Sequence, residues 1–189
     1  MMKRFLYTIV FLFSFSTLIF AQDEEKMITA AATGNLSKVT SYVKKGVDVN
    51  AKSKTRWTAL AYAAKYNYKD IVEYLLENGA DINQKVNTGA TALQISVNEE
   101  NYDIAKLLIS KKANIEVKDI IGLTALALAA KSGDLKAVKF LVENGANVNT
   151  KNNNGRTILD MTTDSSVKEF LRSKGAKTNE ELFNAATGD

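Results

Sequence analysis

The chain has 189 residues, a net charge of +4, and no His, Cys or Pro. The absence of Cys excludes disulfide bonds and Cys-ligated zinc or iron–sulfur sites, and the absence of His excludes a Ser–His–Asp triad. The length is enough for one globular domain or one short array of repeats.

The N-terminal residues have the composition of a secretory signal peptide. Lys3 and Arg4 precede a mostly apolar run of 16 residues, 5–20, and the small residue Ala21 separates this run from acidic sequence. This order predicts cleavage after Ala21. The alternative is an uncleaved membrane anchor, although a helix needs about 20 apolar residues to span a bilayer.

The predicted leader also changes how the charge is interpreted. Its removal takes away Lys3 and Arg4 and lowers the net charge from +4 to +2, which is too small to predict binding to nucleic acid or to a membrane. No Cys follows the apolar run, so the lipid anchor of a lipoprotein is excluded. Export without disulfides favours a bacterial source, and we expect a periplasmic or secreted protein.

A period of 33 residues runs through the rest of the chain. Four threonines lie 33 residues apart, and each begins a similar short sequence, T-A-L-A, T-A-L-Q, T-A-L-A and T-I-L. Glycines follow the same spacing at three positions, and Lys112 occupies the remaining one. A fixed period of this length indicates a solenoid of stacked repeats. The threonines are Thr58, Thr91, Thr124 and Thr157, and the glycines are Gly46, Gly79 and Gly145.

Each period predicts two helices and a loop. Thr124 is a favourable N-cap for a short, Ala-rich helix, which Gly133 interrupts. Apolar residues then recur at helical spacing from Leu135 to Val142, and Gly145 supplies a left-handed helix end. The loop after it is rich in Asn and Gly, which favour turns.

The third repeat departs from this pattern at its glycine position. We expect Lys112 to adopt the left-handed conformation that glycine adopts in the other repeats. Such a conformation costs a residue with a Cβ atom about 1 kcal/mol. The third repeat is therefore predicted to be the weakest of the array.

Taken together, these motifs resemble those of the ankyrin repeat. The resemblance covers residues 23–177 and implies an all-α solenoid of stacked helix–turn–helix units with hairpin-finger loops. The matching motifs are T-x-L-x-x-A-A near Thr58 and Thr124, I-V-x-x-L-L at 71–76, N-G-A-D-I-N at 78–83 and D-x-x-G-x-T at 119–124.

One motif differs from the family pattern. The family's T-P-L-H becomes T-A-L-A or T-A-L-Q here, so its proline and its histidine are both replaced. Ala retains good helix propensity at these positions. The hydrogen bond between Thr and His that the resemblance implies is expected to be lost.

The period also sets the domain boundaries. We assign a signal peptide to 1–21, an ankyrin-repeat array to 22–178 and a capping half-repeat to 179–189. The first repeat lacks a preceding finger and the last is shortened, which is typical of terminal repeats. The alternative for 179–189 is that the chain is the front part of a longer protein. The five repeats are 23–52, 53–85, 86–118, 119–151 and 152–178.

No motif in the sequence predicts catalysis. The sequence contains neither G-x-G-x-x-G nor G-x-x-x-x-G-K-S/T, so nucleotide binding has no support. The Asn-rich loop 147–155 lacks the acidic spacing of a calcium site. We therefore expect a protein that is not an enzyme and has no cofactor or metal.

Binding is the better-supported role. Partners of ankyrin proteins usually contact the finger tips and the exposed side of the first helices, and the resemblance implies the same concave face here. Aromatic and basic residues crowd the second repeat, and Ile120 and Ile121 place apolar side chains at a predicted finger tip. The candidate partner-binding residues are Lys54, Arg56, Trp57, Lys65, Tyr66, Asn87, Thr88, Ile120, Ile121, Leu123, Lys131, Asn153, Asn154 and Arg156.

The sequence therefore predicts an exported scaffold that binds a protein or peptide partner without catalysis. We expect a monomer that binds neither nucleic acid nor, after leader cleavage, a membrane. Two alternatives remain open: a membrane-tethered structural spacer, and the N-terminal binding part of a longer enzyme.

Overall fold

The computed structural model describes residues 21–187, which form helices joined by turns and short loops. Within that range the only β structure consists of two isolated bridges, Lys52 with Thr58 and Lys151 with Thr157. Residues 1–20 of the predicted signal peptide lie outside the described part. The helices are α1 (21–32), α2 (Leu36–Lys44), α3 (Ala59–Lys65), α4 (Lys69–Glu77), α5 (Ala92–Asn98), α6 (Tyr102–Ser110), α7 (Ala125–Ser132), α8 (Leu135–Glu143), α9 (Ile158–Met161), α10 (Ser165–Ser173) and α11 (Asn179–Thr187).

The periodic threonines begin the first helix of each repeat, as the sequence predicts. Each threonine side chain accepts a hydrogen bond from the main-chain N–H three residues later, which satisfies a free N–H group of the first turn. At Thr91 and Thr157 the bond is reciprocal, because Gln94 and Asp160 accept from the threonine N–H.

The second helices end in the left-handed conformation that the glycine spacing predicts. Gly79 and Gly145 have φ angles of 87° and 89°, and Lys112 adopts the same conformation with φ 71°. The expectation for Lys112 is therefore confirmed. Its side chain is exposed, so the strain is confined to the backbone.

The described residues divide into two compact units after Asp81. In the first unit, α4 packs against α2 and α3. Large apolar side chains, among them Met27, Ile71 and Leu75, are fully buried there. The periodic apolar residues of the sequence therefore form the core of this unit.

The second unit begins at Ile82 and contains α5 to α11. Each first helix packs against its own second helix and against the first helix of the next repeat, so that α5 contacts α7 and α7 contacts α9. Leu93, Leu126 and Leu159, which occupy corresponding positions of these helices, are buried. This nearest-neighbour packing is the arrangement expected of a solenoid.

Three asparagines and one glutamate at 33-residue spacing connect successive repeats. In the first unit Asn50 accepts a hydrogen bond from the Asp81 N–H at 2.7 Å and donates to the Gly79 carbonyl at 3.1 Å. In the second unit the side chains at the corresponding positions accept from main-chain N–H groups at 2.8 Å. These pairs are Asn83 with Asn114, Glu116 with Asn147, and Asn149 with Lys177.

Gln94 forms a link between repeats that the sequence analysis missed. Its side chain is 2% exposed, accepts a hydrogen bond from the Thr91 N–H and donates one to the Leu123 carbonyl at 2.8 Å. The chain has no His for the family's Thr–His hydrogen bond, and in the third repeat Gln94 binds the Thr91 main chain at that position instead. A glutamine is long enough to bind its own helix start and the next repeat together.

The last repeat is short, as predicted. Its first helix, α9, has only four residues. Helix α11, which comes after α10, has no buried residue. Helix α11 is attached through its start, where the Asn179 N–H donates to Asp160, and through an Arg172–Glu181 ion pair at 3.0 Å. Phe183 on this helix is 63% exposed. A capping role for 179–189 remains a prediction.

Candidate partner-binding surface

Three short hairpins form the fingers of the second unit. Each is closed by a hydrogen bond between its first and last residues, and the bond lengths are 2.9–3.0 Å. The closing bond runs from the first residue's N–H to the last residue's carbonyl. The three fingers are 86–90, 119–123 and 152–156.

The fingers are hydrogen-bonded to one another in a row. Ile120 donates its N–H to the Thr88 carbonyl at 3.1 Å, and Asn153 donates its N–H to the Ile121 carbonyl at 3.2 Å. Glycine is required at the contact, since a Cβ atom at Gly122 would lie 2.5 Å from the Asn153 nitrogen. The row therefore has a fixed register of side chains along its length.

The middle finger presents two isoleucines to solvent. Ile120 is 67% and Ile121 is 53% exposed. Asp119 holds the finger in shape, because its carboxylate accepts hydrogen bonds from the N–H groups of Ile121 and Leu123. Branched apolar side chains on a rigid, exposed turn are a recognised mark of an interaction site.

Leu123 differs from the isoleucines of the same finger. It is 2% exposed, so the prediction that it lies on the accessible finger tip is wrong. The residue directly precedes the N-cap Thr124, and its main chain is bound at both ends, by Asp119 and by Gln94. Its side chain is buried and belongs to the core.

A cleft of about 380 Å³ lies between the middle and last fingers of the second unit. Most of its lining consists of candidate residues from the sequence, which the structure brings together from two repeats. Asn152 and Met161 were missed, and Met161 reaches the cleft because α9 ends there. The lining residues are Ile120, Ile121, Leu123, Lys131, Asn152, Asn153, Asn154, Arg156 and Met161.

The cleft is lined by two cations and by no carboxylate. The Lys131 side chain makes no hydrogen bond or ion pair with any residue of the described range 21–187. Arg156 donates one guanidinium N–H to the Asp160 carbonyl oxygen. The side chains that line the cleft therefore carry positive charge, part of which the Asp160 carboxylate beside Arg156 offsets.

Asp160, beside the cleft, is engaged in structural hydrogen bonds. Burial alone would raise the pKa of its carboxyl group. Hydrogen bonds from the N–H and hydroxyl of Thr157 and from the Asn179 N–H, together with the positive charge of Arg156, hold that pKa below its ordinary value. The carboxylate thus fixes the backbone around the cleft.

The remaining candidates of the second unit lie outside this cleft. Asn87 and Thr88 are exposed on the first of the three fingers, and Thr88 contributes its carbonyl to the row. Neither residue lines the cleft. Their role in binding remains a prediction.

The candidates of the first unit lie around a ladder of aromatic rings. The ring centroids of Trp57 and Tyr62 are 4.9 Å apart, and those of Tyr62 and Tyr66 are 6.3 Å apart. The Lys65 ammonium lies 5.5 Å from the Trp57 ring and 5.6 Å from the Tyr66 ring. Tyr66 is 47% exposed, whereas the Tyr68 ring covers Gly34. Part of the aromatic cluster is therefore structural.

Two basic candidates beside this ladder, Lys54 and Arg56, are exposed, whereas Lys65 is half-buried. Arg56 has a left-handed backbone with φ 62°, at the turn that precedes Trp57. The Lys54 N–H donates to the Glu25 carboxylate at 3.3 Å, so this turn is anchored on α1. The part of these residues in binding remains a prediction.

Within the described range the structure offers neither a metal site nor a membrane-spanning helix. No group of His, Cys, Asp and Glu side chains there has the arrangement of a metal site. Among the helices that the structure describes, none has both the length and the apolar character needed to span a bilayer.

Comparison with known proteins agrees with the repeat architecture. A family model for ankyrin repeats (3 copies) matches residues 27–119 and 116–181. Ankyrin repeat domain-containing protein 40 from Mus musculus and the protein of the same name from Homo sapiens are each 38% identical to this chain over 58 residues, or 30% of the chain. The chain covers 16% of the length of these curated relatives. The helix pairs, the finger row and the family match together show that this chain belongs to the ankyrin-repeat family.

Proposed function

We propose that this protein is an exported, non-catalytic scaffold that binds a protein or peptide partner through the cleft between its middle and last fingers. Ankyrin repeats in general mediate protein–protein interactions. One observation carries the assignment to this cleft: the exposed Ile120 and Ile121 lie beside Lys131 and Arg156, two cations without a carboxylate in the lining.

The rigidity of the cleft supports a binding role. The fingers are bonded to each other through main-chain groups, and Asn153 also donates its side-chain amide to the Ile120 carbonyl at 3.0 Å. A preorganised surface loses little conformational entropy when a partner binds. Affinity can then come from a few apolar anchors, with Lys131 and Arg156 setting orientation and association rate.

The absence of catalysis is proposed from the chemistry of the side chains. Without His or Cys, the sequence lacks the commonest general base and the strongest neutral-pH nucleophile. Lys131 and Arg156 stand on an open surface and have no neighbouring nucleophile in the lining. The cleft has the groups to hold a partner.

Ile121→Asp tests the site by placing a charge on the apolar wall of the cleft. We expect at least about a tenfold loss of partner capture, equivalent to about 1.4 kcal/mol, when the purified mature protein is used as bait in an extract of its native cells. The captured proteins are quantified by mass spectrometry against the wild type. Thermal unfolding should change little because the side chain is exposed.

Phe183→Asp is the matched control. Phe183 is similarly exposed but lies on α11, away from the cleft lining. Its replacement should leave capture unchanged. A set of captured proteins that survives Ile121→Asp undiminished would overturn the assignment of the cleft.

A further inference from the structure

The residues that line the cleft include two cations and no carboxylate, and the nearest carboxylate described, that of Asp160, lies beside Arg156. Lys131 has three N–H donors and uses none of them within the described range. The guanidinium of Arg156 has five N–H donors and gives one to the Asp160 carbonyl, so most of its donors remain free. Two cations in this state complement an anion, and a carboxylate can bind an arginine through two parallel hydrogen bonds.

The same cleft presents apolar surface beside the cations. Ile120, Ile121 and Met161 line it together with the two charged side chains. Burial of this surface favours an aliphatic side chain of a partner, because binding removes apolar area from water. The complementary ligand thus carries a carboxylate and an aliphatic group close together.

The end of the finger row offers a hydrogen-bond acceptor to the main chain of a partner. The carbonyls of Thr88 and Ile121 each accept an N–H from the next finger. The corresponding carbonyl of the last finger is that of Asn154, which by the same geometry faces away from the middle finger and accepts no hydrogen bond within residues 21–187. The space beside Gly155 is open, whereas the next finger occupies the space beside Gly122.

These three observations lead to one inference, which rests on the proposed function of the cleft. We propose that an extended peptide segment of the partner runs from the cleft across the last finger, at whose outer edge a main-chain N–H of the segment bonds to the Asn154 carbonyl. An Asp or Glu side chain of the segment pairs with Lys131 and Arg156. A branched aliphatic residue two positions away packs on Ile120 and Ile121, because alternate residues of an extended chain face the same side.

The experiment uses an array of random decapeptides with acetylated N-termini and amidated C-termini, so that every carboxylate belongs to a side chain. The mature protein is bound to the array, and the best peptides are then measured in solution by fluorescence anisotropy. We expect enrichment of Asp or Glu two positions from Ile, Leu or Val. Replacement of that acid by its amide should weaken binding at least about tenfold, or about 1.4 kcal/mol.

Variants of the two cations test whether they read the carboxylate. Lys131→Met and Arg156→Met should each weaken binding of the acidic peptide at least about fivefold, or about 1 kcal/mol. Binding of its amide analogue should change little. Lys168→Met is the control, because Lys168 is an exposed lysine on α10 and does not line the cleft. It should leave both peptides unaffected.

The possible results separate the two levels of the proposal. If the selected peptides lack a carboxylate but bind more weakly to Ile121→Asp, the cleft remains the binding site and the proposed acidic residue of the ligand is overturned. Acidic peptides that bind equally well to Ile121→Asp would overturn the cleft itself. If no peptide of the array binds, or if only peptides with a free C-terminal carboxylate bind, the proposal of an extended internal segment as ligand is overturned. Capture of intact partners would still test the proposed function.

Discussion

Lys112 shows how one side chain can weaken a whole repeat. Its backbone has φ 71°, close to the values of the glycines at the same position of the other repeats. A Cβ atom is disfavoured in that conformation because it approaches the following carbonyl oxygen. The lysine side chain itself is exposed and contributes no core packing to offset this cost.

Lys112→Gly should therefore stabilise the protein. We expect a gain of about 0.5–1 kcal/mol, since the left-handed conformation costs glycine little, and a rise in melting temperature of about 1–4 °C for a chain of this size. Differential scanning calorimetry of the two proteins measures both quantities. Lys111→Gly is the control and should destabilise, because Lys111 has an ordinary φ of −87°. A lower melting temperature for Lys112→Gly would contradict the strain argument.

At the scale of elements, Asp160 joins two helices that share few other contacts. Its carboxylate caps the start of α9 through Thr157 and accepts a hydrogen bond from the Asn179 N–H at the start of α11. The four residues of α9 are too few for a stable helix by themselves. Its start therefore depends on this cap, and so does the position of Met161 in the cleft.

Asp160→Asn should make the stability of the protein less dependent on acid pH. The folded-state pKa of Asp160 lies below its ordinary value, so its ionised form stabilises the fold at neutral pH. This contribution is present above the ordinary pKa of about 4 and is lost as the pH falls through the lower folded-state pKa. We expect a loss of about 1 kcal/mol at pH 7, which disappears once the wild-type carboxyl is protonated.

Urea unfolding of the wild type and of Asp160→Asn across acidic and neutral pH measures this difference. Glu143→Gln provides the control, since Glu143 is an exposed carboxylate at the end of α8 with no hydrogen bond or ion pair within residues 21–187. Its replacement should not reduce stability at pH 7. Equal stability of Asp160→Asn and wild type at neutral pH would show that the cap contributes nothing.

Helix positions follow from the sequence more directly than the site does. An N-cap such as Thr124 acts within one turn, so a repeated threonine is enough to predict a repeated helix start. The burial of Leu123 and the bond from Gln94 to its carbonyl depend on residues 29 positions apart. Sequence spacing identifies the finger that contains Ile121 but does not distinguish its exposed side chains from its buried one.

At the scale of the whole chain, the predicted leader determines where the binding surface can act. Its basic start, apolar run and small residue support export of the array. When the full chain is expressed in a bacterium, we expect a mature protein that begins at Gln22 in the periplasm or the medium. N-terminal sequencing of each cell fraction provides the measurement.

Charge reversal of the leader gives the matching control. The double variant Lys3→Glu, Arg4→Glu removes the basic start and should leave the full-length chain inside the cell. A wild-type chain that keeps Met1 and sediments with the membranes would instead identify a tether. A wild-type chain that keeps Met1 in the cytosol would overturn export.

The side-chain bonds between successive repeats, made by residues 50, 83, 116 and 149, have a consequence for how such arrays change during evolution. The side chains of Asn50 and Asn149 bind main-chain groups of the next repeat, the Asp81 N–H and Gly79 carbonyl in one case and the Lys177 N–H and Gly175 carbonyl in the other. A main-chain group is present whatever side chain its residue carries. A repeat can therefore be duplicated, deleted or exchanged by recombination while these connections persist, which leaves the finger residues free to diversify.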